Sequence, residues 1–291
     1  MAILVNDRTR DALLKAAAHP HNLIFSGAKG IGKHTMAVEI AKRYLGTSDI
    51  YSHPDFTEIA DDGGAIKKER IDEMISLSSF KPMSAANRVF IIDGAQRMTE
   101  AAQNALLKTL EDEDETNVFM LVNQGRLLGT IRSRCTEVGF GFIAYDRLPD
   151  GTDRYAYLAA ASAPGAIKSI TENDKLMGII RKMPQAVRSR KELLTVLGEL
   201  NPKDPDNFFE NASEDEKLWL ITFIRWYLLL SYAPGVADII GVDKGILMTD
   251  ADAKVQQMAL TASRMAFELS GGTLTKNSFF DYLLKLTEEV E

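Results

Sequence analysis

In the first half of the chain, short apolar segments alternate with segments in which apolar residues recur every three or four positions. The short segments predict strands at residues 23–25, 56–59, 89–92 and 118–122. The spaced pattern predicts helices at residues 7–18, 36–44, 67–79 and after Thr99, which is the expected N-cap. Apolar strands that alternate with helices are typical of a parallel sheet covered on both faces. The pattern therefore predicts an α/β domain.

After about residue 150 the pattern is helical almost throughout. Helices are predicted at residues 156–163, from Pro164 onward, at 255–269 and at about 278–290. The segment 201–206, with two prolines and two aspartates, predicts a loop or linker, and Gly271 and Gly272 are expected to end the long helix. The most apolar segment, 218–230, contains Arg225 and is too short to cross a bilayer, so it predicts a buried helix.

Composition narrows the class of protein. The 291 residues are enough for two or three domains, and the chain is 45% apolar and 26% charged, as in ordinary soluble proteins. The net charge of −7 argues against a broad DNA-binding surface of its own, so any DNA contact should be local or shared with partners. A single cysteine, Cys135, excludes a disulfide framework and a four-cysteine zinc module. The apolar N-terminal stretch is too short for a signal peptide, and we expect a cytoplasmic protein without a membrane partner.

The most informative stretch is GAKGIGKHT at residues 27–35, between a predicted strand and a predicted helix. In this context, glycines let backbone N–H groups surround a phosphate, and the helix N-terminus adds its positive end. Lys33 would reach the outer phosphates, but His34 follows it where a Ser or Thr ordinarily binds Mg²⁺. The stretch predicts a P-loop fold, and it leaves open whether the loop binds a nucleotide or is a tight turn that only packs.

Three other residues, at two places in the sequence, could carry chemistry. Asp93 ends an apolar strand, which places it at the carboxyl edge of the sheet where a Mg²⁺–nucleotide would lie; it could equally be the N-cap of the next segment. Arg132 and Arg134 precede the predicted final strand. They could be a solvated turn, or one could be an arginine finger that neutralises a neighbouring subunit's γ-phosphate. Spacing alone does not decide between these interpretations.

Several longer motifs resemble a known family. They are HPDF at residues 53–56, RVFIID at 88–93, MTEAAQNALLKTLE at 98–111 and SRC at 133–135. Together they resemble the delta-prime subunits of bacterial DNA polymerase III clamp loaders, within the AAA+ class. The motifs cover residues 20–140, and beyond them only SAPGA at 162–166 is similar to the start of the family's lid helix.

The resemblance implies an architecture and an assembly. It implies an AAA+ P-loop parallel sheet domain at residues 1–145, a small helical lid at 146–195 and an all-α collar at 196–291 that mediates oligomerisation. It also implies a pentamer with gamma/tau-like motor subunits and a delta-like subunit, which opens a sliding clamp and loads it on primed DNA. Within that DNA polymerase holoenzyme, this chain would be a rigid stator.

The resemblance assigns site residues as well. Arg134 becomes the arginine finger that acts on the neighbouring ATPase subunit. The degenerate nucleotide site is assigned to Gly27, Gly30, Gly32, Lys33, Thr35, Asp93 as the metal-side acid, and Asn123 as the polar sensor.

Three departures from the family pattern affect this nucleotide site. His34 replaces the Mg²⁺-binding hydroxyl, Gly94 replaces the water-activating glutamate, and Ala166 replaces the lid arginine. We therefore expect no hydrolysis by the chain alone, no required cofactor and at most weak ATP or ADP binding, in which Thr35 could touch a phosphate. The family's zinc cysteines are missing before His53, so we expect no zinc and no other metal.

Two alternatives stay open at this point. The chain could be an active AAA+ ATPase, either a motor subunit of a clamp loader or a helicase loader, although Gly94 supplies no carboxylate for that reaction. It could also be an interaction scaffold outside replication that has inherited an AAA+ shell. Arg134 argues against the scaffold, which has no need of a guanidinium at that position.

Overall fold

A computed structural model describes residues 4–60, 62–111, 116–189, 191–192, 195–196, 212–249 and 251–270. The chain divides into two compact units, the first ending at Gly141 and the second beginning at Phe142. The further division of the second part into lid and collar stays a prediction.

The first unit alternates strands and helices in chain order. Its elements are α1 (Asp7–Ala16), β1 (Leu23–Gly27), α2 (Lys33–Leu45), β2 (Phe56–Ile59), α3 (Lys68–Ser78), β3 (Arg88–Asp93), a 3₁₀ turn (Ala95–Arg97), α4 (Glu100–Glu111), β4 (Asn117–Asn123), α5 (Gly129–Arg132) and β5 (Thr136–Phe140). The predicted strands and helices of this half are confirmed within a few residues at each end.

The five strands form one parallel sheet in the order β2-β3-β4-β1-β5. The apolar residues of β1, β3 and β4 are almost completely buried, as continuous apolar strands in a covered parallel sheet must be. The register pairs Ser26 with Asn123 and Asp93 with Val122. The last residues of β1, β3 and β4 therefore meet at one carboxyl edge, where the phosphate loop leaves β1. The predicted AAA+ P-loop fold class is confirmed.

One hydrophobic cluster of this unit lies between the sheet and helices α3 and α4. Phe90 and Phe119 stack on neighbouring strands with ring centroids 4.7 Å apart, beside Ile71 of α3 and Leu106 of α4. Helix α4 begins after Thr99, whose hydroxyl accepts the N–H of Ala102 at 3.2 Å, so the predicted N-cap is confirmed. The core packing holds both ends of α4 in place.

Helix α1 covers the outer side of the edge strand β5. Thr9 is buried, and its hydroxyl donates to the carbonyl of Gly139 at 2.8 Å and accepts the N–H of Gly141 at 3.3 Å. The N-cap Asn6 accepts the N–H of Thr9 at 2.8 Å, which fixes the start of the helix.

The second unit is helical in its described residues, apart from turns. Its elements are a 3₁₀ turn (Tyr145–Arg147), α6 (Arg154–Ala159), α7 (Pro164–Thr171), α8 (Asp174–Ala186), α9 (Glu214–Tyr232), α10 (Pro234–Ile240), a second 3₁₀ turn (Lys244–Ile246) and α11 (Ala253–Ser270). The apolar segment 218–230 is largely buried within α9, as predicted. Ser213 and Glu216 form a capping box at its start.

Within the described ranges, no single helix has both the length and the apolar character that a bilayer span requires. One pair of consecutive helices meets the same length and composition criteria together, but it is bent by 115°.

One helix prediction in this unit is wrong at its C-terminal end. Asp153 accepts the N–H groups of Tyr155 and Ala156, so α6 begins earlier than the predicted residue 156. It ends at Ala159, because Ala161 and Ser162 adopt left-handed conformations with φ of 46° and 67°. The helix predicted from Pro164 is confirmed as α7. The predicted linker 201–206, the stop at Gly271 and Gly272, and the helix at 278–290 lie outside the described residues.

Candidate functional site

The phosphate loop joins β1 to α2 and depends on its glycines. Gly27, Gly30 and Gly32 have φ values of 148°, 78° and 95°, which side chains rarely allow. At Gly27 an added Cβ would lie 2.7 Å from the carbonyl oxygen of Phe140. These glycines are therefore required by the turn itself, with or without a bound phosphate.

Lys33 is turned into this loop. Its side-chain ammonium donates to the carbonyl oxygens of Gly27 at 2.9 Å and Ala28 at 2.7 Å, and only 4% of the residue is exposed. Burial lowers the pKa of Lys33 to about 8; the charge of Asp93 opposes this shift, and Lys29 adds to it. A phosphate that enters the loop must compete with these carbonyls for the ammonium.

His34 is held by a carboxylate from the neighbouring strand β2. Its Nε2 lies 2.5 Å from Oε1 of Glu58. The hydrogen bond to Glu58 raises the pKa of His34; burial works against this shift, and the charges of Glu58 and Asp93 add to it. A protonated imidazole has two N–H donors and no lone pair for a metal. At the position where a hydroxyl usually binds Mg²⁺, the pairing with Glu58 thus favours a protonated, positively charged His34.

This pair makes stability depend on pH. The folded pKa of His34 lies above the ordinary value of 6.5, so its contribution is complete below that value and is lost as pH rises through the raised pKa. We expect the urea midpoint of the wild type, relative to that of His34→Gln, to fall as the pH rises above 6.5 and through the raised folded pKa. A difference independent of pH would contradict the assigned protonation.

Asp93 ends β3 and Asn123 ends β4, so both lie at the carboxyl edge of the sheet, as predicted for Asp93. The N-cap of the turn after β3 is Gly94, with no side-chain cap bond, so the interpretation of Asp93 as an N-cap is wrong. Asn123 is buried, donates to the carbonyl of Gly125 at 2.8 Å and accepts the N–H of Gly125 at 3.3 Å. The amide that the resemblance assigns as a sensor therefore bonds to its own loop.

Thr35 lies in the first turn of α2, after Lys33. It is exposed and lines a cavity with Val5 and Leu13 on the side of α1. It is the only hydroxyl in this short stretch, since His34 precedes it and Met36 follows. Its contact with a phosphate stays a prediction.

Arg134 follows α5 at the surface. One third of its side chain is exposed, and its Nη1 donates to the carbonyl of Thr130 at 2.9 Å. Its Nη2 forms an ion pair with Glu111, the last residue of α4. Arg132 instead pairs with Glu137 at 2.8 Å. Each of the two arginines has a carboxylate partner on its own chain, and both side chains are partly exposed.

The HPDF motif has a structural role that we did not predict. The carboxylate of Asp55 is fully buried and accepts backbone N–H groups at 2.6–3.0 Å from Met83, Ser84 and Ala85. It also accepts from Arg88 at 3.3 Å. Burial alone would raise the pKa of Asp55, and the three N–H donors lower it well below its usual range.

Asp55 and Arg88 together fix the segment between α3 and β3. Arg88 donates to the carbonyl oxygens of Leu77 at 2.7 Å and Lys81 at 3.3 Å. Because the contacts of Asp55 reach residues about thirty positions away, no local pattern indicates them. The HPDF motif is the only sequence signal at this position, and it indicates a family rather than a contact.

Cysteine and metal chemistry are not indicated by the described residues. Cys135 is half-buried against the sheet core, and burial raises the pKa of its thiol to about 12. Its thiolate is therefore scarce at neutral pH. Within the described ranges, no three His, Cys, Asp or Glu side chains form a group that could hold a metal ion.

The sheet, the glycine loop at the end of β1 and the acidic residue ending β3 define the class: this is a P-loop protein of the AAA+ type. Residues 9–143 match the family model described as DNA polymerase III, delta subunit. The match covers slightly less than half of the chain. Over this stretch the chain is similar to clamp-loader subunits, which supports the resemblance for its first half.

Three relatives illustrate the likeness. The DNA polymerase III subunit delta' of Bacillus subtilis is 31% identical over 157 residues, covering 48% of this chain and 46% of that protein. The delta' subunit of Haemophilus influenzae is 38% identical over 88 residues, covering 29% and 27%. The replication factor C small subunit of Methanosphaera stadtmanae is 31% identical over 155 residues, covering 52% and 46%. The matches span less than half of each relative.

Solved structures also align with most of the chain, and one of them serves as an example. A DNA polymerase III gamma subunit-related protein of Thermotoga maritima covers 98% of this chain with 17% identity and a TM-score of 0.48. The fold assignment rests on the strand order and on the phosphate loop.

Proposed function

We propose that this chain is a non-hydrolysing, delta-prime-like stator subunit of a DNA polymerase III clamp loader. In this role it completes the ATP site of a neighbouring motor subunit with Arg134. The observation that carries the proposal is the position of Arg134, whose guanidinium lies at the surface of the sheet domain within the SRC motif. A surface guanidinium can meet the phosphates of another subunit, whereas a buried one could not.

The chemistry of the chain's own nucleotide site supports this role. Lys33 is bonded to loop carbonyls, His34 is paired with Glu58, and Gly94 has no side chain to orient a water molecule. Each of these three features weakens the stabilisation of the charge that develops during phosphoryl transfer. Such a site requires no cofactor, and at most it would bind ATP or ADP weakly.

The proposed partners follow from the same role. They are gamma/tau-like motor subunits and a delta-like subunit, with the sliding clamp and primed DNA reached through the assembled complex. The chain's net charge of −7 agrees with contacts to DNA that are shared rather than its own.

The first test is assembly. The purified chain is mixed with the motor and delta-like subunits of the same organism and analysed by size-exclusion chromatography. We expect it to elute in one complex with both. Failure to elute with the motor subunit, in the presence of the delta-like subunit, would overturn the stator role.

The second test is a prediction about hydrolysis. The purified chain should turn over ATP no faster than its Lys33→Ala variant, because the metal-binding hydroxyl and the water-activating carboxylate are both missing. The measurement is steady-state phosphate release with Mg²⁺. Turnover that disappears in Lys33→Ala would instead favour an active ATPase.

A further inference from the structure

Arg134 is engaged on its own chain through two of its nitrogens. Nη2 forms the ion pair with Glu111, and Nη1 donates to the carbonyl of Thr130 at 2.9 Å and to the hydroxyl of Ser133 at 3.3 Å. One third of the Arg134 side chain and half of the Glu111 side chain are exposed. The pair is therefore formed on the chain itself and is open to an incoming anion.

The place of Glu111 in the fold is unusual for a carboxylate. It is the last residue of α4, where the helix dipole favours cations and disfavours anions. Arg134 supplies the missing positive charge. Helix α4 is anchored in the core through Leu106, and the backbone N–H of Arg134 donates to the carbonyl of Ile131 at 3.1 Å. The backbone positions of Glu111 and Arg134 are therefore both fixed, which keeps their side chains within reach of each other.

We propose that Glu111 is a positioning residue that restrains Arg134 until the phosphate of a neighbouring subunit displaces it. This rests on the proposed function of Arg134 as a finger. A guanidinium already neutralised by a carboxylate offers little net charge, so Glu111 and the phosphate compete for the same Nη2. A half-exposed ion pair favours the restrained over the released Arg134 by up to about fivefold. A multiply charged phosphate can overcome a preference of this size.

The restraint has a matched control on the same surface. Arg132, two residues before Arg134, makes two contacts with Glu137, at 3.3 Å from Nε and 2.8 Å from Nη2. Glu137→Gln removes one acidic charge and the partner of an adjacent arginine, as Glu111→Gln does, but it leaves the Glu111–Arg134 pair intact.

The first experiment uses the reconstituted clamp loader. We expect Glu111→Gln to lower the KM for ATP by about two- to fivefold, with kcat changed by less than about twofold, and Glu137→Gln to leave both near wild type. The KM difference should shrink at high salt, which screens the pair. A KM that is unchanged or raised in Glu111→Gln would overturn the restraint.

The second experiment uses the isolated full chain. Phenylglyoxal modifies accessible arginines, and mass spectrometry gives the rate at each one. We expect Glu111→Gln to speed modification of Arg134 by about two- to fivefold while Arg132 reacts at its wild-type rate. Equal rates at Arg134 in the variant and the wild type would overturn the proposal.

The variant Arg134→Ala distinguishes a failure of the proposed finger from a failure of the proposed restraint. If the variant leaves ATP hydrolysis by the loader unchanged, the finger is wrong and the restraint has no role. If it lowers hydrolysis but Glu111→Gln leaves KM and modification rates unchanged, the restraint alone is wrong and the finger stands.

Discussion

Arg134→Ala is expected to lower ATP hydrolysis at the adjacent motor site of the reconstituted loader on the order of 10³-fold. The guanidinium would neutralise charge that spreads over the phosphate oxygens during transfer, and alanine supplies none. The measurement is single-turnover hydrolysis, in which the loss removes one kinetic phase and leaves those of the other sites. Arg134→Lys should restore only part of the rate, because an ammonium cannot form two parallel bonds to a phosphate.

The control for this variant is Arg132→Ala. That arginine lies on the same loop and pairs with Glu137 of its own chain, so its removal should leave every hydrolytic phase in place. Both variants should keep the circular dichroism spectrum of the wild type, because both side chains lie at the surface. Equal hydrolysis by wild type and Arg134→Ala would contradict the finger.

Asp55→Ala is expected to destabilise the first unit by about 3–5 kcal/mol, the usual cost of removing one partner of a buried ion pair. The change strands the N–H groups of Met83 and Ala85 and leaves the buried guanidinium of Arg88 without its carboxylate. The measurement is urea unfolding followed by circular dichroism. Trp219 and Trp226 both lie in the second unit, so tryptophan fluorescence reports on the other half of the chain.

Asp62→Ala provides a matched control for this loss. Asp62 also accepts a backbone N–H, from Gly64, and a guanidinium N–H, from Arg70, both at 2.9 Å, but it is exposed. Its removal should change the unfolding midpoint little. The stabilisation by Asp55 is present above its unfolded pKa and is lost as pH falls through the lowered folded value. Equal losses for the two variants would contradict the role of burial.

The features that could be predicted from the sequence are those encoded over short distances along the chain. The apolar segments of β1, β3 and β4 predict strands because a covered parallel sheet demands continuous burial. The glycines of residues 27–35 predict the phosphate loop because only glycine readily adopts their backbone angles. Thr99 marks the start of α4 through a hydrogen bond within a single turn.

The features that escaped prediction depend on distant partners or on rare backbone conformations. Glu58 lies 24 positions from His34, and Asp55 lies 33 positions from Arg88, so nothing in the local pattern joins them. Glu111 and Arg134 come together only because α4 and α5 pack in the same unit. The early end of α6 at Ala159 depends on positive φ values at residues other than glycine, which propensity does not indicate.

The contact between α1 and β5 has a consequence for self-association. A parallel sheet that ends in an uncovered strand exposes backbone donors and acceptors, and these can pair with a strand of a second molecule. Thr9 occupies the carbonyl of Gly139 and the N–H of Gly141 on that outer side, and the helix body blocks approach. Helix α1 thereby hinders the pairing of a further strand with β5, at this one edge of the sheet.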